Sequence, residues 1–274
     1  MVVAEPRTWR IAAFFDVDRT LMRGSSIVAL AGPLCRAGLL PRRALVGAAI
    51  RGLQFSTRGF DEAEVQLAVR RIGATVRGMD AAQLRRIADR AIPRVLGPRV
   101  YGEALQLIAW HRARGHLVFL VSASTHELID RLGSIVGADG VVASEAEIVD
   151  GRYTGTVALC HGASKLEAVR HLATAHRVDL QRSFAYGDGA GDIPMLLAVG
   201  HPTAVNADRR LRATAERRGW AQLRFRASDG LSWLDDPGWS PGTGRAAGAP
   251  RRAEAGEALL PGEVTAEGVS TPAY

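Results

Sequence analysis

Residues 10–15 form a short apolar run that stops abruptly at Asp16, and a second carboxylate, Asp18, follows two residues later. No other feature constrains the fold as much. The run lacks the alternation of a half-solvated strand, so it has to be buried on both faces, as in a parallel sheet covered by helices. In open sheets of that kind, ligands bind beyond the carboxyl ends of the strands, where these two aspartates stand.

The second half of the chain repeats the theme. From about residue 99, the sequence predicts a helix over 101–114, a buried strand over 116–121 ending at Ser122, and a helix over 127–136. Residues 145–157 read as a hairpin turning at Asp150-Gly151. A helix starting near Ala163 carries Lys165. Strand 183–186 runs into the glycine-rich 187–191, and helix 193–198, strand 202–205 and helix 208–217 follow. This alternation predicts an α/β fold with a doubly wound, Rossmann-like parallel sheet.

One stretch interrupts it. Segments 25–37, 42–55, 62–72 and 81–96 carry apolar residues at three- and four-residue spacings, broken at Gly38, Pro41, Gly59 and Gly78, with no strand signal. An inserted all-helical unit over 23–96 accounts for them, leaving 1–22 and 97–236 as the core. Residues 237–274 hold five prolines and seven glycines among few large apolar groups, the composition of a disordered tail.

Composition narrows the function. At 47% hydrophobic and 23% charged residues, the 274-residue chain is ordinary globular material, which excludes wholesale disorder. Two cysteines cannot build a disulfide framework or a cysteine-rich zinc site, and they fit a reducing compartment. There is no membrane-spanning apolar stretch and no signal-peptide core near the N-terminus, so the expected location is cytoplasmic. A formal charge of +7 raises the question of a nucleic-acid partner. However, 34 of the 35 basic residues are arginines dispersed among acidic ones, with no basic block and no interleaved aromatics. The expected partner is a small molecule, not nucleic acid. The one lysine, Lys165, stands out: a site there calls for an ammonium that a guanidinium does not replace.

Four features carry chemistry: Asp16-Val17-Asp18-Arg19-Thr20, Ser122, Lys165 and Gly187-Asp188-Gly189-Ala190-Gly191-Asp192. All but Lys165, which comes from a helix start, fall at carboxyl ends of predicted strands. Four carboxylates gathered at one sheet edge repel one another unless a cation sits among them. Oxygen-only surroundings favour a hard ion, Mg²⁺. That ion, one ammonium and a serine hydroxyl make a pocket for a phosphoryl group. One carboxylate there can attack phosphorus, and the second can protonate the leaving oxygen and later deprotonate water.

With these motifs the chain resembles the haloacid dehalogenase superfamily of phosphohydrolases, specifically its subfamily IB, the phosphoserine-phosphatase-like branch, over roughly residues 10–233. The family's DxDxT motif stands at 16–20, its strand-end serine at Ser122, its lysine at Lys165 and its GDGxxD motif at 187–192. The resemblance implies that Asp16 is the nucleophile, Asp18 the general acid/base, and Ser122 and Lys165 the holders of the phosphoryl oxygens. It further implies that Asp188, the Asp16 carboxylate and the Asp18 backbone carbonyl bind Mg²⁺, with Asp192 supporting them. The helices at 23–96 would be the family's C1 cap. Ser25, Arg70, Arg71 and Gly189 are the implied substrate contacts.

Three departures bear on the substrate. Phosphoserine phosphatases carry a glutamate where this chain has Ser25, usually read Ser-Gly-Gly where it has Ser122-Ala123-Ser124, and place an asparagine where it has Gly191. A set of hydrolases whose first motif continues into Gly-Ser-Ser is similar at Gly24-Ser25-Ser26. The expected activity is therefore hydrolysis of a small phosphate ester, with phosphoserine phosphatase proper and phosphotransfer as alternatives. A phosphoaccepting receiver is disfavoured by the chain's length and by the helical insertion. The histidine pairs 111/116 and 171/176, five apart, would sit about 140° apart on a helix, which predicts structural or surface roles. Adjacent Cys160 and His161 do not suggest a cysteine hydrolase.

Overall fold

The structure, a computed structural model, describes residues 9–40 and 62–226; the predicted helix at 42–55 and the tail at 237–274 lie outside them. Its centre is a seven-stranded sheet of order β4-β3-β2-β1-β5-β6-β7. The strands are β1 (Ala12–Phe15), β2 (Leu117–Thr125), β3 (Gly140–Val149), β4 (Arg152–Ala158), β5 (Phe184–Gly187), β6 (His201–Val205) and β7 (Ala221–Leu223). All neighbours pair in parallel except β4, which runs antiparallel to β3. The apolar run ahead of Asp16 is the central strand. Phe15 stands between Leu120 of β2 and Tyr186 of β5, so the segments that follow these three strands emerge side by side.

Both faces of β1 are buried, as its lack of alternation requires. Ala13 and Phe15 face one cluster together with Leu120, Tyr186, Ile108, Ile129 and Leu132; Ala12 and Phe14 face the other with Phe119, Val169, Met195 and Leu211. Helices α4 (Gly102–Ala113) and α5 (His126–Val136) therefore cover one face, and α6 (Ala163–His176), α7 (Ile193–Leu196) and α8 (Arg209–Arg218) cover the other. Phe14 stacks on Phe119 at 5.5 Å and Phe15 on Tyr186 at 4.4 Å. Truncating either fully buried phenylalanine to alanine costs about 3–5 kcal/mol.

The helical insertion supplies α1 (Ser26–Arg36), α2 (Glu62–Val76) and α3 (Ala81–Val95). α3 is not a detached element: Ala88, Ala91 and Ile92 join the same cluster as Ile129 and Leu132. The turn that joins α2 to α3 is fastened to the β3–β4 hairpin. Gly78 N–H donates to Tyr153 O at 2.8 Å, Tyr153 N–H to Met79 O at 3.1 Å, and Ala81 N–H to Gly151 O at 2.9 Å. The hairpin turns where the sequence predicts, with Asp150 at φ 50° and Gly151 at 74°, the pair of positive values a two-residue turn of this kind needs. β3 begins earlier than predicted because its first half pairs in parallel with β2 and only its second half belongs to the hairpin.

One expectation fails. His111 and His116 meet, Nδ1 to Nδ1 at 2.9 Å, because α4 ends at Ala113 and Gly115, at φ 72°, turns the chain back. Their role is structural nonetheless. His111 is fully buried, bonds Tyr186 Oη at 2.9 Å, and is held neutral by burial, then by His116 and Arg114, its pKa pushed down to about 3. Among the described residues, no helix is long and apolar enough to cross a membrane.

Candidate active site

Asp16 follows β1 directly, and its N–H donates to Tyr186 O of the neighbouring strand at 2.9 Å, so the backbone fixes where its carboxylate starts. The side chain is buried. Lys165, also buried, reaches it from the first turn of α6: Nζ donates to Asp16 Oδ1 at 2.5 Å and to Asp192 Oδ1 at 2.6 Å. The other oxygen of Asp192 accepts from the N–H groups of Asp188 and Gly189 at 3.0 and 3.1 Å. Asp192 thereby shapes the 187–192 turn while steering the lysine. Asp208, which the sequence does not flag, braces the same turn by accepting from Ala190 N–H at 3.1 Å.

Asp16, Asp188 and Asp192 bring one carboxylate oxygen each within 4.8 Å of one another. Asp16 Oδ2 is buried and receives no hydrogen bond from the protein. Burial, reinforced by Asp192 and opposed by Lys165, pushes the Asp16 carboxyl up to about 7. Burial and then the charges of Asp16 and Asp192 raise Asp188 as well. Burial alone would lower Lys165, but the attraction of Asp16 and Asp192 exceeds it and raises the lysine overall. An orphaned carboxylate oxygen among three clustered acids, with no nitrogen or sulfur donor in the set, fits a hard divalent cation.

Asp18, two residues beyond Asp16, is partly buried. Ser26 N–H donates to its Oδ1 at 2.9 Å. Burial raises its pKa, and hydrogen bonds from Ser26 and Ser25 oppose the shift. Ser122, on β2, is buried and accepts from Ser124 N–H at 3.1 Å. Ser124 in turn bonds Ser26, Oγ to Oγ at 2.5 Å, which ties the start of α1 to the end of β2. Arg19 sits in the left-handed region at φ 67°. It is held there by Asn206, which donates to Arg19 O at 3.0 Å, and it pairs through Nε with Asp188 Oδ2 at 3.1 Å. No sequence spacing announces the contacts of Ser26 with Ser124, of Arg19 with Asn206 or of Arg19 with Asp188, since each joins residues from distant segments.

The structure thus gathers Asp16, Lys165, Asp188, Asp192 and Gly189, sets Asp18 and Ser25 beside them, and puts Ser122 on the adjacent strand, within β2 rather than at its end because the strand runs on to Thr125. It does not gather Arg70 and Arg71. Both are exposed on α2, and among the described residues neither is bonded to the aspartates. Cys160 is buried, and burial pushes its thiol up to about 11, which removes it as a thiolate nucleophile.

Comparison with known proteins bears on the same region. The family described as haloacid dehalogenase-like hydrolase matches residues 13–197. A probable phosphatase of Mycobacterium tuberculosis is 38% identical over 217 residues, covering 79% of this chain and 76% of that protein. A phosphoserine phosphatase of the same species is 33% identical over 218 residues, 78% of this chain and 71% of its own length. Among solved structures, a Bordetella pertussis protein of unknown function has a TM-score of 0.67 at 27% identity, covering 79% of this chain and 99% of that one.

Proposed function

The chain belongs to the haloacid dehalogenase-like hydrolases, and from that premise we propose that it is a Mg²⁺-dependent phosphomonoester hydrolase working through an aspartyl phosphate on a small phosphorylated metabolite. The observation that carries this reading is the Lys165 bridge between Asp16 and Asp192 beside an unbonded, buried Asp16 oxygen. Asp16 Oδ2, Asp188 and the Asp18 carbonyl would hold the ion. When bound, Mg²⁺ supplies the positive charge that favours the ionised carboxylates and polarises the phosphoryl group.

The chain's own residues do the rest. Lys165 and Ser122 bind the phosphoryl oxygens, and Lys165 also fixes the plane of the Asp16 carboxylate. Asp16 attacks phosphorus; the bond to the ester oxygen breaks as Asp18 gives that oxygen its proton. Asp18, now ionised, takes a proton from water, the hydroxyl adds to phosphorus, and the acyl phosphate bond breaks to regenerate Asp16 and release phosphate. Burial of Asp18 favours its protonated form, which suits the first half of the cycle. The helices at 23–96 serve as the cap over this pocket, with 1–22 and 97–236 as the catalytic core.

The test is a phosphatase screen over phosphorylated amino acids, sugars, glycerol phosphates and lysophospholipids, run on the wild type and on Asp16→Asn. Hydrolysis by the wild type alone is expected; a folded Asp16→Asn protein with near-normal turnover overturns the mechanism. Phosphoserine phosphatase proper is a second reading, favoured by the 33% identical relative of that name. Against it stands Ser25, whose uncharged hydroxyl offers a substrate ammonium no counter-charge. Ser25→Glu should shift kcat/KM toward phosphoserine by about 1–3 kcal/mol, the scale of a charge-assisted hydrogen bond.

A further inference from the structure

Helix α1 starts without the usual side-chain cap. Ser25 stands at the N-cap position but makes no capping hydrogen bond, and Gly24 before it turns the chain at φ 78°. The first N–H groups of a helix have no partner within it. Here the first of them, Ser26 N–H, goes to Asp18 Oδ1 at 2.9 Å. The carboxyl assigned to the proton step is thus held by the residue that opens α1.

Ser26 is itself held from β2. Its hydroxyl meets Ser124 Oγ at 2.5 Å, and the two residues are 0% and 2% exposed. Ser124 reaches it from an irregularity in the sheet: β2 and β3 pair regularly from Phe119 to Ser122, and the register shifts before Thr125. Breaks of this kind re-aim side chains beside active sites. Ser144 Oγ donates to Ala123 O at 2.8 Å inside the break and fixes it. Ser124 N–H donates to Ser122 Oγ at 3.1 Å. Asp18, Ser26, Ser124 and Ser122 therefore form one hydrogen-bonded chain, which joins the proposed proton donor to a proposed holder of the phosphoryl oxygens.

We propose that Ser26, locked by Ser124, is the positioning residue for Asp18 in the proton step. This rests on the phosphohydrolase reading above. A carboxyl pinned at Oδ1 by an N–H presents its other oxygen to the leaving group. As the bond from phosphorus to the ester oxygen breaks, the Asp18 proton passes to that oxygen, and the charge left on Asp18 strengthens the bond from Ser26 N–H. The Ser26–Ser124 bond sets where that N–H stands, in place of a cap.

The experiment compares two esters with unlike leaving groups, p-nitrophenyl phosphate and the best alkyl phosphate from the screen. A nitrophenolate departs readily without a proton, whereas an alkoxide needs one. The readout is kcat/KM, which ends at departure of the leaving group and leaves out the later attack of water. Melting temperatures are recorded for every variant. Ser26→Ala should lose at least about tenfold on the alkyl ester and less than about threefold on the aryl ester, because a misplaced general acid forfeits part of a contribution of about 10²–10⁴-fold. Ser124→Ala should do the same. Each single variant strands one buried hydroxyl and should melt lower; the double variant Ser26→Ala/Ser124→Ala strands neither and should regain stability, yet keep the loss on the alkyl ester. A double variant that regains activity along with stability, or a Ser26→Ala protein without the bias between esters, overturns the proposal and leaves the pair as packing. Asp18→Asn should show the same bias more strongly. An unbiased Asp18→Asn, or a wild type active on the aryl ester alone, overturns the acid assignment and this inference with it. A biased Asp18→Asn beside an unbiased Ser26→Ala overturns this inference alone, and a wild type that hydrolyses neither ester overturns the phosphohydrolase reading itself.

Discussion

Lys165 answers to two carboxylates at once, and both distances, 2.5 and 2.6 Å, suit a compact ammonium. A guanidinium spreads the same charge over a planar fork and needs more room than a residue 2% exposed is given. Lys165→Arg should therefore lower kcat/KM by at least about tenfold, roughly 1.4 kcal/mol of transition-state stabilisation. Steady-state kinetics on the best ester check this, and unchanged values would make the lysine a structural cation only. This residue is legible in the sequence because it is the only lysine among 35 basic side chains. Asp16, Asp18, Asp188 and Asp192 are legible because strand-end and turn chemistry put them at one sheet edge. Arg19 on Asp188 and Ser26 on Ser124 are not, because each contact joins segments whose separation along the chain carries no period.

At the scale of elements, the alternation of apolar runs and helical spacing is enough to read the parallel sheet, since β1 and β2 are buried along nearly their whole length. β7 leaves no such signal: it has three residues, two of them exposed. The attachment of α2 to the hairpin is also silent in sequence, because it depends on two glycines 82 positions apart in the chain, Gly73 and Gly155, meeting backbone to backbone. A Cβ on Gly73 would stand 2.1 Å from Gly155 O, which cannot swing aside as a side chain can. Gly73→Ala should destabilise the protein by about 1–3 kcal/mol, the usual cost of overpacking. Urea denaturation measures it. A stability equal to wild type would mean that α2 and the hairpin do not pack this closely in solution.

For the whole molecule, the buried carboxylates link stability to pH and metal. Asp16, raised to about 7, and Asp18 and Asp188, also raised, hold protons in the folded protein that the unfolded chain releases near an ordinary value of about 4. The folded state thus binds more protons between these values, so the contribution of this cluster is full below about pH 4 and fades as pH rises toward 7. Lys165 adds no slope there, because its raised pKa makes its own contribution fade only in strong alkali. A divalent ion needs the carboxylates ionised and competes with those protons. Mg²⁺ should therefore raise the melting temperature more at pH 8 than at pH 5, and an ion at a hundred times its Kd contributes about 2.7 kcal/mol by mass action. Thermal melts in EDTA and in Mg²⁺ across this range test it, with Asp16→Asn as the control. The variant should flatten the slope in EDTA, because it removes one of the titrating groups, and it should shrink the metal effect at every pH, because it removes one ligand. A metal shift that is independent of pH, or equal in wild type and Asp16→Asn, would mean that the ion binds elsewhere and that these aspartates hold one another through Lys165 and Arg19 alone.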